Sequence, residues 1–141
     1  MTKNHNLGYR LFLVSRAHHN QASRMFGEIG LFRGQPQVLF NLGDREGVTQ
    51  TELAEKLELT PATLTNLLTR MEHSGLIERR TDALDSRCSR IFLTDAGRIK
   101  LAQAVEQTQK MDAAAFAGFN VEELTLLHQY LERIHQNLTR E

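Results

Sequence analysis

The stretch from Thr49 to Gly75 constrains this chain most. It carries two short helical segments, each with its own start signal, and almost no chain between them. Thr49 and Glu52 have the spacing of a capping box, in which a hydroxyl and a carboxylate each satisfy a backbone N–H that the helix leaves unpaired. Leu53, Ala54 and Leu57 then supply a short apolar face. Three residues later Thr60 can cap a second helix. Pro61 would take its first position, where a missing N–H and a fixed φ suit the helix. That helix would bury Leu64, Leu67, Leu68 and Met71. It ends at Ser74-Gly75, where glycine accommodates a left-handed cap.

The face this second helix leaves outside is Ala62, Thr63, Thr65, Asn66, Thr69 and Arg70. It is small, polar and not acidic. Short hydroxyl and amide groups can approach base edges and phosphates closely. An ordinary Thr-rich surface is the plainer reading, and this face alone does not separate the two. After Gly75 the period changes. Residues 76–81 and 90–94 look like paired strands, and Asp82 to Ser89 is a polar loop of hairpin length. Two tight helices followed by a hairpin make a winged helix-turn-helix.

Helices flank this unit on both sides. Leu7, Leu11, Val14, His18, Ala22, Met25 and Ile29 recur at spacings of three and four, so a first helix is expected from about Leu7 to Ile29. Gly30 and Gly34 mark its break. A second helix should cover Gln35–Gly43, with Val38, Leu39, Phe40 and Leu42 as core candidates. Thr94 should cap a long helix from Asp95 to about Ala117, and Asn120, with Glu123 at capping-box spacing, should cap the last one. Leu124, Leu127, Leu131, Ile134 and Leu138 repeat close to a coiled-coil seam. Both terminal stripes need a partner. One compact core could use them both; packing across a twofold axis is the sharper reading. Leu7, Leu11 and Val14 with Leu124, Leu127, Leu131, Ile134 and Leu138 are then the dimerisation candidates. The expected fold is mainly α with a small β-hairpin wing. Residues 1–32 and 98–141 would form a helical dimerisation region and residues 33–97 the winged helix-turn-helix.

Length and charge agree with this plan without proving it. The chain has 141 residues, which suits one domain or one domain with extra helices, and 17 Lys+Arg balance 17 Asp+Glu. Nucleic-acid binding would therefore rest on placed arginines rather than on bulk charge. Arg79, Arg80, Arg87 and Arg90 bunch together against only Asp82 and Asp85. No apolar run approaches the ~20 residues of a membrane-spanning helix. The start carries no clear signal peptide. A single cysteine excludes an internal disulfide. A cytoplasmic protein is expected.

In this order and spacing, three stretches resemble the MarR family, the multiple-antibiotic-resistance type of winged-helix regulator. The first runs from Thr51-Glu-Leu-Ala-Glu-Lys-Leu through Thr60-Pro-Ala-Thr-Leu-Thr-Asn to Met71-Glu-His-Ser-Gly-Leu-Ile-Glu-Arg. The second, Asp85-Ser-Arg87-Cys-Ser-Arg90, fits the family's wing pattern Asp-x-Arg-x-x-Arg. The third, Leu93-Thr-Asp-Ala-Gly, resembles the start of the family's fifth helix.

The resemblance implies a triangular homodimer with interlocked terminal helices and two winged domains facing double-stranded DNA. It implies palindromic operators near promoters and, most often, repression. In many members a small phenolic or other ligand, bound between the helical and winged regions, releases the DNA. By match to the family pattern, Pro61, Ala62, Thr63, Thr65, Asn66 and Arg70 would face the major groove. Asn66 is the best base reader, since its amide can pair bidentately with adenine. Arg70 suits a phosphate or a guanine. Arg87 resembles the family's minor-groove arginine, drawn by the negative potential of a narrow groove. Asp85 would orient Arg87 through a short ion pair. Arg90 would either brace the wing base or touch phosphate.

Other chemistry is thinly supported. The histidines are His5, His18, His19, His73, His128 and His135. Adjacent rings at 18 and 19 diverge on a helix, and 128 and 135 are two turns apart, so no metal site and no cofactor are expected. His18 interrupts an apolar stripe. It reads as a hydrogen-bonded interface residue or as part of an effector pocket. Tyr9, Phe12, Phe26, Phe32 and Phe40 are core and interface residues, or line such a pocket; His18 and Phe40 are the pocket candidates. Arg87 and Arg90 could lower the Cys88 pKa and raise its thiolate fraction, although an incidental cysteine is the plainer reading. No GxSxG, P-loop or HExxH is present, so an enzyme is not expected. Two alternatives remain open beside a DNA-binding repressor. One is a winged-helix protein–protein module; the other is a metal- or thiol-gated repressor.

Overall fold

A computed structural model describes residues 5–140; residues 1–4 and 141 and the side chain of His5 lie outside the description. The elements follow in the order α1 (His5–Glu28), α2 (Gln35–Asp44), β1 (Val48–Thr49), α3 (Gln50–Leu57), α4 (Pro61–His73), β2 (Ile77–Thr81), β3 (Ser89–Leu93), α5 (Asp95–Ala115) and α6 (Val121–Thr139). This is the mainly helical winged fold expected from the sequence. The chain divides into two compact units between Thr108 and Gln109.

In the first unit, Val38, Leu39, Leu42, Leu64, Leu68, Met71 and Ile91 are wholly removed from solvent, with Leu53 and Ile77 nearly so. Burying side chains of this size stabilises by about 1.5–3 kcal/mol each relative to exposure. The sheet is antiparallel in the order β1-β3-β2, with Ile77 opposite Leu93, Arg79 opposite Ile91 and Val48 opposite Ile91 on the other edge. Strand β1 is an addition to the expected hairpin. At two residues it is too short to show any alternation, and it exists because β3 offers a free edge to it.

Helices α1 and α5 are tied by side-chain donors to main-chain carbonyls. The Lys100 ammonium donates to Ile29 O at 2.6 Å and the buried Gln107 amide donates to Met25 O at 2.7 Å. These bonds satisfy the Met25 carbonyl in the last turn of α1, which the helix itself leaves unpaired, and the Ile29 carbonyl just beyond it. Gly97 marks a closer approach. A Cβ there would lie 2.0 Å from the main-chain oxygen of Leu76, so only glycine lets the first turn of α5 pass over the base of the wing.

The stripe on α1 divides along its length. Ala22, Met25 and Ile29 are half-buried. Leu7 and Val14 are 69% and 65% exposed, and Leu11 and His18 are exposed as well. In the second unit, Asn120 and Glu123 form the expected capping box. Leu124 and Leu127 are half-buried, whereas Leu131, Ile134 and Leu138 are exposed, and no described residue of α6 is fully buried. No described helix is long and apolar enough to cross a membrane.

Candidate nucleic-acid interface

The two helices of the 49–75 segment start on the signals read from the sequence. Thr49 Oγ1 accepts from Glu52 N at 3.2 Å, and a Glu52 carboxylate oxygen accepts from Thr49 N at 3.4 Å. Glu58 closes α3 in the left-handed region at φ 55°, and Leu59 N returns to Ala54 O at 3.0 Å. Thr60 Oγ1 then accepts from Thr63 N at 3.2 Å, with Pro61 in the first turn of α4. At the far end Gly75 turns at φ 77°, and Leu76 N donates to Met71 O.

These turns fix the roll of α4 about its axis. Leu64, Leu68 and Met71 face the core, while Pro61, Ala62, Thr63, Thr65, Asn66, Thr69 and Arg70 are exposed together on the opposite side. All three threonines of this face are nevertheless engaged, Thr63 by accepting from the Thr60 hydroxyl at 2.8 Å. Arg79 Nη2 donates to Thr69 Oγ1 at 2.9 Å, and the Thr69 hydroxyl donates to Thr65 O at 2.8 Å. Arg79 Nη1 donates to Gln50 Oε1 at 3.2 Å, and Gln50 Nε2 donates to Thr65 Oγ1 at 3.3 Å. Glu72 completes the cluster by accepting from Arg79 N at 3.2 Å. Gln50 and Arg79 join the site although the sequence motifs do not mark them. Alternation could have placed Arg79, since it shares a strand face with buried Ile77. Nothing local marks Gln50.

The wing loop is folded by its two aspartates. Asp82 Oδ1 accepts from Leu84 N at 2.9 Å, and Asp85 Oδ1 accepts from Arg87 N at 3.0 Å, the side-chain turns typical of aspartate. Arg87 Nε lies 3.4 Å from the same Asp85 oxygen, and the Arg87 side chain is 91% exposed. Its guanidinium is thus tethered on one side and open to solvent on the other.

Arg90 is placed differently. Its Nε meets Asp82 Oδ2 at 2.8 Å and its Nη1 donates to Gly47 O at 2.7 Å, so it braces the wing base against the loop before β1. Arg80, directly across the ladder from Arg90, avoids the like-charge pairing by lying 4.0 Å over the Phe92 ring and pairing with Glu78. Hydrogen bonding from the Leu84 N–H, with help from Arg90, holds the Asp82 carboxyl below its ordinary range.

Cys88 departs from the sequence expectation. Its neighbour is Asp85, whose carboxylate lies 3.7 Å from the sulfur. That negative charge, with some desolvation, pushes the thiol pKa up, against the downward pull of Arg90. The expected lowering by Arg87 and Arg90 does not occur, because the arginines point at carboxylates and main chain rather than at sulfur. His18 is exposed on α1, whereas Phe40 packs edge-on against Phe26 with ring centres 6.2 Å apart. Neither lines the open grooves beside α3, which are bounded by Asn41, Arg45 and Lys56 on one side and by Gln50, Glu55 and Pro61 on the other. Among the described residues no three His, Cys, Asp or Glu side chains converge as a metal site would require.

A tight helix pair, a projecting second helix and a three-stranded wing with an exposed arginine at its tip define a winged helix-turn-helix protein. Residues 32–89 match the MarR family model. The chain is 33% identical over 104 residues to the transcriptional regulator HosA of Escherichia coli, covering 74% of this chain and 77% of HosA. It is similar to the crystal structure of the transcriptional regulator SlyA, with a TM-score of 0.81 at 27% identity over 92% of each chain. The Staphylococcus aureus MepR–DNA complex shares the fold, with a TM-score of 0.83 at 24% identity over 93% of this chain and 97% of MepR. The chain belongs to the MarR family of winged-helix transcriptional regulators. Proteins of this family regulate transcription and are not enzymes.

Proposed function

We infer that this regulator binds double-stranded DNA in a sequence-specific way, as a homodimer on palindromic operators, and acts as a repressor. The observation that carries the reading is the pairing of an exposed, non-acidic α4 face with an Arg87 guanidinium that Asp85 tethers at the wing tip. Helix α4 would enter the major groove by its N-terminal half, with Pro61, Ala62, Thr63, Thr65, Asn66 and Arg70 toward the DNA. Asn66 would read a base edge and Arg70 a phosphate or a guanine. Arg87 would occupy the adjacent minor groove, where narrow width focuses negative potential. Arg90 would serve the interface indirectly, by holding the wing at its angle through Asp82 and Gly47.

The dimer is supported by the uncovered apolar faces of Leu7, Leu11 and Val14 on α1 and of Leu131, Ile134 and Leu138 on α6. A second copy would cover them together with Leu124 and Leu127, so that residues 1–32 and 98–141 act as the dimerisation region around the 33–97 winged unit. Relief by a small effector follows from the same plan. A ligand that altered the spacing of two α4 helices would break both half-site contacts, because a palindrome sets that spacing near one helical turn, about 34 Å. Location in the cytoplasm follows from the same role.

Selection of duplexes from a random library tests this. Enrichment of a palindrome is expected. Arg87→Ala should lose binding while keeping the fold, and Asn66→Ala should cost about 1–3 kcal/mol and relax one position of the site. A folded parent that enriches no duplex at low salt would overturn the reading in favour of a protein-interaction module.

A further inference from the structure

The hydrogen bonds behind α4 run in one direction, and that direction decides what Thr65 can offer. Arginine carries only donors. Arg79 is held inward, its side chain 21% exposed, with Nη2 on Thr69 and Nη1 on Gln50. The atom of Gln50 facing Arg79 must therefore be its carbonyl oxygen. An amide is ambiguous by itself, and its orientation is set by its partners; here the guanidinium sets it. The Gln50 NH2 group is then left facing Thr65 Oγ1 at 3.3 Å. A hydroxyl that accepts from an amide must place its own proton elsewhere. No described residue accepts from Thr65 Oγ1. Thr69 differs, because it accepts from Arg79 and spends its proton on Thr65 O at 2.8 Å.

We propose that Arg79 and Gln50 act as positioning residues that fix the polarity of the Thr65 hydroxyl, so that Thr65 directs its proton outward to a nitrogen or oxygen acceptor on DNA. The inference rests on α4 facing DNA, as proposed above. In the major groove the acceptors are purine N7, guanine O6 and thymine O4; on the backbone they are phosphate oxygens. A threonine free to rotate would serve donors and acceptors equally. With one of its two lone pairs taken by Gln50, Thr65 keeps its proton and a single lone pair for DNA, which favours acceptors over the amino groups of adenine and cytosine. Thr69, on the same exposed face, has no proton to offer.

Reversing the relay tests this. In Gln50→Glu the carboxylate stays ionised beside Arg79, accepts from it, and accepts the Thr65 proton as well, which withdraws the outward donor. Affinities for the selected duplex would be measured for the parent, Gln50→Glu, Thr65→Val and the double variant, with melting curves to show that each is folded. The added negative charge repels DNA in either background, so the cycle cancels it. Gln50→Glu should weaken binding about five- to tenfold more in the parent than in the Thr65→Val background, the range that one hydrogen bond supplies. Repeating the selection with Thr65→Val separates the acceptors: relaxation at one position means a base edge, and a uniform loss means a phosphate. Equal cost of Gln50→Glu in both backgrounds, with the parent binding well, overturns the relay alone. A folded parent that binds no selected duplex overturns the DNA reading and the relay with it.

Discussion

Gly97→Ala is the substitution for which sequence and structure give opposite signs. Gly97 lies in the first turn of α5 (Asp95–Ala115), and on helix propensity alone alanine would stabilise by up to about 1 kcal/mol. The structure puts the new Cβ 2.0 Å from Leu76 O, whereas ordinary van der Waals contact begins near 3.4 Å. The obstacle is main chain and cannot swing aside. Leu76 O is already engaged, accepting from Thr94 N at 3.1 Å, and Gly97 N donates to Thr94 Oγ1 at 3.0 Å. Moving α5 away by more than an ångström weakens both bonds, at about 1 kcal/mol each. Residual overpacking adds about 1–3 kcal/mol. Set against the propensity gain, the net is a loss of about 2–4 kcal/mol, or about 10 °C in Tm for a chain of this size.

Urea unfolding followed by circular dichroism, at one fixed protein concentration, measures the change. Gly43→Ala is the control. Its Cβ would meet Leu101 Cδ2 at 2.6 Å, but that is the end of a flexible side chain, so the cost should stay below about 1 kcal/mol. If Gly97→Ala leaves stability unchanged or raises it, or if Gly43→Ala costs as much, the close approach at the wing base is not what makes glycine necessary.

The remaining predictions concern the wing. Because the folded-state pKa of Asp82 is depressed, its contribution is present above the ordinary value of 3.8 and is lost as pH falls through the lower folded value. DNA binding should therefore show no transition from Asp82 between pH 5 and 8, and Asp82→Asn should weaken the Arg90 brace across that whole range; a parent transition in that window that Asp82→Asn abolishes would contradict this. Cys88 should alkylate slowly with iodoacetamide at neutral pH, and Asp85→Asn, by removing the carboxylate that raises the thiol pKa, should speed it several-fold. An unchanged or slower rate in Asp85→Asn would refute that cause.

Much of the fold was legible because its signals are local. The Thr49 and Asn120 capping boxes, the Thr60-Pro61 start and the Gly75 stop each depend on residues within one turn of one another, and all four appear in the structure. The α4 roll followed from the same spacing, since Leu64, Leu68 and Met71 can be buried together only if Thr65, Asn66 and Arg70 face away. The family pattern then attached roles to those positions. The apolar stripes of α1 and α6 were legible too, but not what covers them, because a stripe records only that it should be buried.

What the tertiary structure decided lies between residues far apart in the chain. Strand β1 exists only through pairing with β3, which begins forty residues later. Arg90 became a brace because Gly47 O and Asp82 stand within its reach. The Cys88 thiol was pushed up rather than down because a carboxylate, and not a guanidinium, lies against the sulfur. Gln50, Arg79 and Thr65 come from three different elements, and no spacing in the sequence announces their meeting. Helical caps and periods are written in neighbouring residues. Hydrogen-bond direction, electrostatic sign and the closeness of two backbones depend on which distant atoms share a space, and only the folded chain fixes that.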